Sequence, residues 1–167
     1  MSKALDQIAS GWALLAGILT FLIIAVTTIN VAAFGLDRLA RLMGAHVSGL
    51  AGYEDFVQLA LSAIALMFFP YCQSQKGHVA VDLFVDRLSP RVQRGLETIT
   101  LLLTVAAALF LAYWMTLGMI SAYEDHALSP ILGWYNWPFY IPGILSLILW
   151  AGVAAEQLVG GVQRRGR

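Results

Sequence analysis

Four stretches of the chain run long enough without charge to cross a bilayer, and segments that mix charge with apolar residues separate them. No charged residue lies between Asp6 and Asp37, and Ile8 to Phe34 is rich in Leu, Ile, Val, Ala and Phe. That run exceeds the roughly 20 residues needed to span about 30 Å of hydrocarbon. A secretory leader would need a basic start and an apolar core of only about 7 to 15 residues, whereas a single lysine, Lys3, precedes this longer run. Phe56 to Gln75 supplies twenty uncharged residues, with Gln58 near its start and Pro70 near its end. A third run lies between Glu97 and Glu124 and a fourth between His126 and Glu156, the fourth starting near Pro138 because proline suits a first helical turn. The pattern predicts an all-α membrane protein, one domain with spans at about 8–34, 56–75, 96–121 and 138–159.

Two connecting segments carry their own pattern. In Leu36 to Val47 the apolar Leu36, Leu39, Leu42 and Met43 recur at helical spacing opposite Asp37, Arg38 and Arg41. This predicts an amphipathic helix lying in the interface between spans one and two. Between spans two and three, Val79, Val81, Leu83, Phe84, Val85 and Leu88 interleave with Asp82, Asp86 and Arg87, a second amphipathic interfacial segment. Ser89-Pro90 then reads as an N-cap and first helical position for span three.

Composition agrees with the pattern: 59% of the 167 residues are hydrophobic and 12% charged, against about 25% charged in soluble domains. The net charge of zero argues against nucleic acid as a partner, and the single cysteine, Cys72, excludes an internal disulfide or dithiol centre. Eight of the ten basic residues fall in the N-terminus, the loop after span two and the C-terminus, so both termini are expected in the cytoplasm. The outer loop between spans three and four has Glu124, Asp125 and His126 but no Lys or Arg. It leads into Trp134, Tyr135, Trp137 and Tyr140, which suit the headgroup level.

The apolar runs hold no ionisable side chain of the kind that marks a pump or channel pathway at the bilayer midplane. Asn30, Gln58 and Thr20, Thr27, Thr28, Thr100, Thr104 and Thr116 are their strongest polar groups, and hydrogen bonding between helices is the expected role. None of the spans has the central Gly-Pro break typical of transporter cores. His46, His78 and His126 all fall outside the spans, so no haem site forms within one subunit. No metalloprotease, serine-hydrolase or phosphate-loop motif is present. The chain reads as a non-enzyme with no cofactor of its own.

The candidate sites are therefore docking positions. Glu54 and Asp55 open span two, where they either complement the positive helix end or pair with a basic residue of a neighbouring helix or subunit. Lys76, His78, Asp82, Arg87 and Arg91 follow span two as candidate interface or structural residues. Small-residue faces, Ala60, Ala63 and Ala106 to Ala108, could pack against a partner. Arg38, Arg41, Glu124 and Asp125 are candidates for docking on the outer side.

The run Y-E-D at Tyr53 to Asp55, G-H-V-A-V-D at Gly77 to Asp82 and L-S-P-R at Leu88 to Arg91 resembles the small membrane subunit of the tripartite ATP-independent periplasmic (TRAP) transporters. Departures from that family's pattern include Tyr53 in place of tryptophan, Asp55 in place of a second glutamate, Gln73 to Lys76 in place of an arginine-rich turn, and no arginine in Asn30 to Phe34. Arg38 or Arg41 would substitute for that last arginine as a partner of Glu54 or Asp55. The resemblance implies a subunit of the bacterial inner membrane. It would bind and stabilise a large membrane subunit that carries an organic acid on a sodium gradient, and help to dock a periplasmic substrate-binding protein. Read without the resemblance, the residues also allow a stand-alone four-helix protein: a homo-oligomeric adaptor or channel, or an electron-transfer subunit.

Overall fold

A computed structural model describes residues 3–46, 48–75 and 89–163. The five α-helices among them are α1 (Lys3–Leu42), α2 (Tyr53–Met67), α3 (Phe69–Ser74), α4 (Pro90–Glu124) and α5 (Tyr140–Gln163), with a 3-10 turn at Trp137–Phe139 before α5. Four helical stretches are long and apolar enough to cross a membrane, with α2 and α3 together forming the second. The helix breaks at Phe68, two residues before Pro70. There proline lacks an N–H and its ring crowds the preceding turn, and the backbone bond from Cys72 to Phe68 (2.9 Å) carries the chain on.

The helices pack in a row. α1 lies on α2 and α3, these lie on α5, and α5 carries its most extensive packing against α4. α1 and α4 therefore flank the row and turn most of their surface outward. In their most apolar windows 11% of residues are buried, against 28% in the second span and 33% in the fourth. Apolar flanks of this kind need no water-excluded core in a bilayer.

The buried positions of α1 are Ala9, Ala16, Ile23 and Asn30, a seven-residue repeat that keeps one narrow seam against a neighbouring helix. Ala16 and Ile23 meet Ile64 and Met67 of α2, with Trp12, Leu19, Phe56, Val57 and Ala60 around them. On the far side Gly143 lets α5 approach α4, since a Cβ there would strike the methyl of Met115.

α1 is one uninterrupted helix of 40 residues, about 60 Å at 1.5 Å per residue. The expected separate helix from Leu36 is not found; Leu36 to Leu42 form the last turns of α1. The connection to α2 folds back along the helix, so that Leu50 donates its N–H to the Asn30 side chain at 2.7 Å. The dozen residues after Asn30 thus stand about 18 Å past the level at which α2 begins. Their exposed Leu39 and Leu42 are the apolar stripe that periodicity detected, on a continuing axis. The second expected amphipathic segment lies outside the described residues.

α4 begins at Pro90 as expected, and Ser89 stands at the N-cap in extended conformation. Its hydroxyl makes no capping bond, however. Its carbonyl instead accepts from Val92 and Gln93.

Candidate docking and bracing site

Buried polar groups gather at the two ends of the row. At the end where α1 meets α2, the loop end, residues 127–136 fold into a hairpin. Leu128 and Tyr135 form an antiparallel bridge, the N–H of Ser129 donates to the carbonyl of Trp134 (2.8 Å) and that of Asn136 to the carbonyl of Ala127 (3.0 Å). Pro130, with its fixed φ, and Gly133, at φ +65°, shape the turn. Asp55, in the first turn of α2, reaches across to the tip. Its Oδ2 accepts from the backbone N–H of Ile131 at 2.7 Å and of Leu132 at 3.0 Å.

A carboxylate suits this position twice, because it lies near the positive end of the α2 dipole and because two successive amides make an anion-accepting concavity. Glycine is required at the preceding cap, Gly52, which sits at φ +79° with the Leu132 side chain 2.6 Å from where a Cβ would stand. Trp134 then packs edge-on to Phe56 and stacks on Phe139. An open apolar cleft of about 270 Å³ lies between Val26, Phe56, Leu132 and Trp134.

At the other end, where the described chain starts and stops, the clasp is neutral. Gln73 of α3 donates through Nε2 to Oε1 of Gln157 (2.7 Å), and Gln157 returns a bond to the Gln73 carbonyl (2.8 Å). The indole of Trp150 donates to Oε1 of Gln73 (3.2 Å). Between the ends, Trp12 of α1 donates to the hydroxyl of Ser146 on α5 at 2.8 Å.

These contacts revise several expectations. Asp55 is held by two backbone amides and pairs with no described basic residue. Arg41, a proposed substitute partner, bonds Asp37 at 2.8 Å instead, and Arg38 is exposed on the projecting end of α1. The physical reason is the reach of the hairpin, which seats amides over Asp55, while Arg38 and Arg41 lie about two and three turns beyond Asn30.

Thr20, Thr104 and Thr116 bond carbonyls four residues back in their own helices, so they do not join helices. Ala63 and Ala108 are buried inside the row and Ala60 packs on its core, so of the small residues only Ala106 and Ala107 face outward. Glu54 and Arg91 are exposed, as are Glu124 and Asp125 at the end of α4, where Ser121 donates to Asp125 at 3.2 Å. Lys76, His78, Asp82 and Arg87 lie outside the described residues.

Residue type alone missed Gln73, Gln157, Trp150 and Ser129. The one available signal was amide side chains near the ends of apolar runs. Among the described residues no group of three His, Cys, Asp or Glu side chains could hold a metal.

A family profile described as "Tripartite ATP-independent periplasmic transporters, DctQ component" matches residues 38–164. No curated protein and no solved structure matches the chain. The profile covers three of the four spans and the hairpin between α4 and α5, and with four membrane-length helices in a single row it settles the family: the chain belongs to the DctQ component of the tripartite ATP-independent periplasmic transporters, the small membrane subunit of these systems.

Proposed function

We propose that this chain is a fixed, non-transporting subunit of the bacterial inner membrane, with both termini in the cytoplasm. In this reading it binds and stabilises the large membrane subunit, which carries an organic acid on a sodium gradient, and contributes to docking the periplasmic substrate-binding protein. The observation that supports this most is how the buried polar side chains are used. Asp55, Gln73 and Ser146 bond from one element to another, Ser129 bonds within the hairpin, and Asn30 accepts from Leu50 of the following loop, only its amide nitrogen lacking a partner among the described residues. Groups committed in this way hold elements at fixed spacing and leave little to exchange with a passing solute.

The outward flanks of α1 and α4 supply the surface for the large subunit. Arg38 and Arg41 on the projecting end of α1, with Glu124 and Asp125 at the end of α4, are the charged groups offered to the periplasmic protein. Glu54, exposed beside the Asp55 clasp, remains a candidate subunit contact. Lys76, His78, Asp82, Arg87 and Arg91 would serve the same role on the cytoplasmic side.

Extraction in mild detergent tests the reading directly: the chain should co-purify with a much larger polytopic protein. Solute uptake by liposomes should need that protein as well. Ion or solute flux through liposomes containing this chain alone would reject the fixed role in favour of a stand-alone channel.

A further inference from the structure

We propose that the hairpin 127–136 is a membrane-inserting loop. Its apolar tip sits at the acyl boundary of the leaflet at the loop end, and Asp55 is the residue that makes this possible. A loop facing water leaves its turn amides to solvent, but one at the acyl boundary must satisfy its N–H groups within the protein, while its carbonyls, here those of residues 130–133, can still meet headgroup water. From Ser129 to Trp134 every backbone donor has an internal acceptor. Ser129 donates to Trp134 and Gly133 to Ser129, Pro130 has no N–H, Trp134 donates to the Ser129 hydroxyl, and Ile131 and Leu132 donate to Asp55.

The side chains around those amides are apolar and unburied: Leu128, Ile131, Trp134 and Tyr135 are 50, 59, 45 and 54% exposed. No charged residue occurs between His126 and Glu156, where an exposed charge would be costly in lipid, and the Asp55 carboxylate beneath the tip is buried. Trp and Tyr in this number favour the membrane interface. The loop is also bracketed by two spans and tied down to the start of a third, so it lies level with the helix ends. A lipid surface is therefore the occupant that the tip fits, and the inference does not depend on the subunit role proposed above.

The full chain carrying Cys72→Ala, reconstituted into phosphatidylethanolamine and phosphatidylglycerol vesicles, can be spin-labelled at Ile131→Cys or Tyr135→Cys. Leu61→Cys provides a lipid-facing reference and Glu124→Cys an aqueous one. Both hairpin labels should collide severalfold more with oxygen relative to a water-soluble nickel chelate than the Glu124 label does. Adding Asp55→Ala, which strips the acceptor from Ile131 and Leu132, should move the Ile131 label toward the nickel chelate. A label reading like Glu124, or one shielded from both reagents as in a protein contact, would overturn the proposal whether or not the Asp55 variant folds. An Ile131 reading unmoved by Asp55→Ala in a folded chain would overturn the role given to Asp55.

Discussion

The two ends of the row are braced by opposite chemistry. At the loop end a carboxylate holds backbone amides of a hairpin, whereas at the terminal end two glutamines and a tryptophan hold one another. Charge-assisted bonds are roughly twice as strong as neutral ones, and Asp55 alone serves two amides. The neutral clasp spreads its bonds over three side chains and two helices. The hairpin therefore depends on a single residue, and the other end should decline in steps.

The contrast can be broken experimentally. Asp55→Ala should produce the largest loss, measured as the fall in melting temperature in detergent, because it leaves Ile131 and Leu132 without an acceptor and frees the hairpin from α2. Glu54→Gln, one residue away but exposed, should leave the melting temperature unchanged. Equal effects at the two positions would show that helix-dipole charge, and not the hairpin, is what matters there. Gln73→Ala should cost about 1–3 kcal/mol by orphaning Gln157 and the Trp150 indole. A loss as large as that from Asp55→Ala would erase the difference between the ends.

Gly52→Ala sharpens the loop end from another side. A side chain at φ +79° that also meets Leu132 should destabilise by about 1–3 kcal/mol, and hydrogen exchange should rise at Ile131 and Leu132 more than at Gln73. Trp12→Phe removes the midspan bond to Ser146, and a loss of only about 0.6–1 kcal/mol is expected by thermal melting, as for other polar contacts between membrane helices. Arg41→Gln should change stability by less than about 1 kcal/mol, since its pair with Asp37 is an exposed contact within one helix.

The departures between pattern and structure have particular causes. The stripe Leu36, Leu39, Leu42 was legible as helix, but periodicity does not reveal where a helix stops and another starts, and α1 runs through without a break. The acidic pair at Glu54 and Asp55 was legible as a helix start. That only Asp55 turns inward depends on a hairpin some 75 residues away. The spacing Ala9, Ala16, Ile23, Asn30 is present in the chain, yet α1 is apolar on every side and shows no one face as the inner one.

Chain composition and the lengths of its uncharged runs determined that this is a four-span membrane protein, because crossing hydrocarbon sets both the length of each helix and where charge can stand. Tertiary structure alone decided which apolar residues form the seam, that α1 and α4 are the flanks, and that Asp55 and Gln73 are the braces. Lipid is as apolar as the interior of a helix bundle, so greasiness does not separate inside from outside. Only close packing and hydrogen-bond partners, brought together from distant parts of the chain, make that distinction.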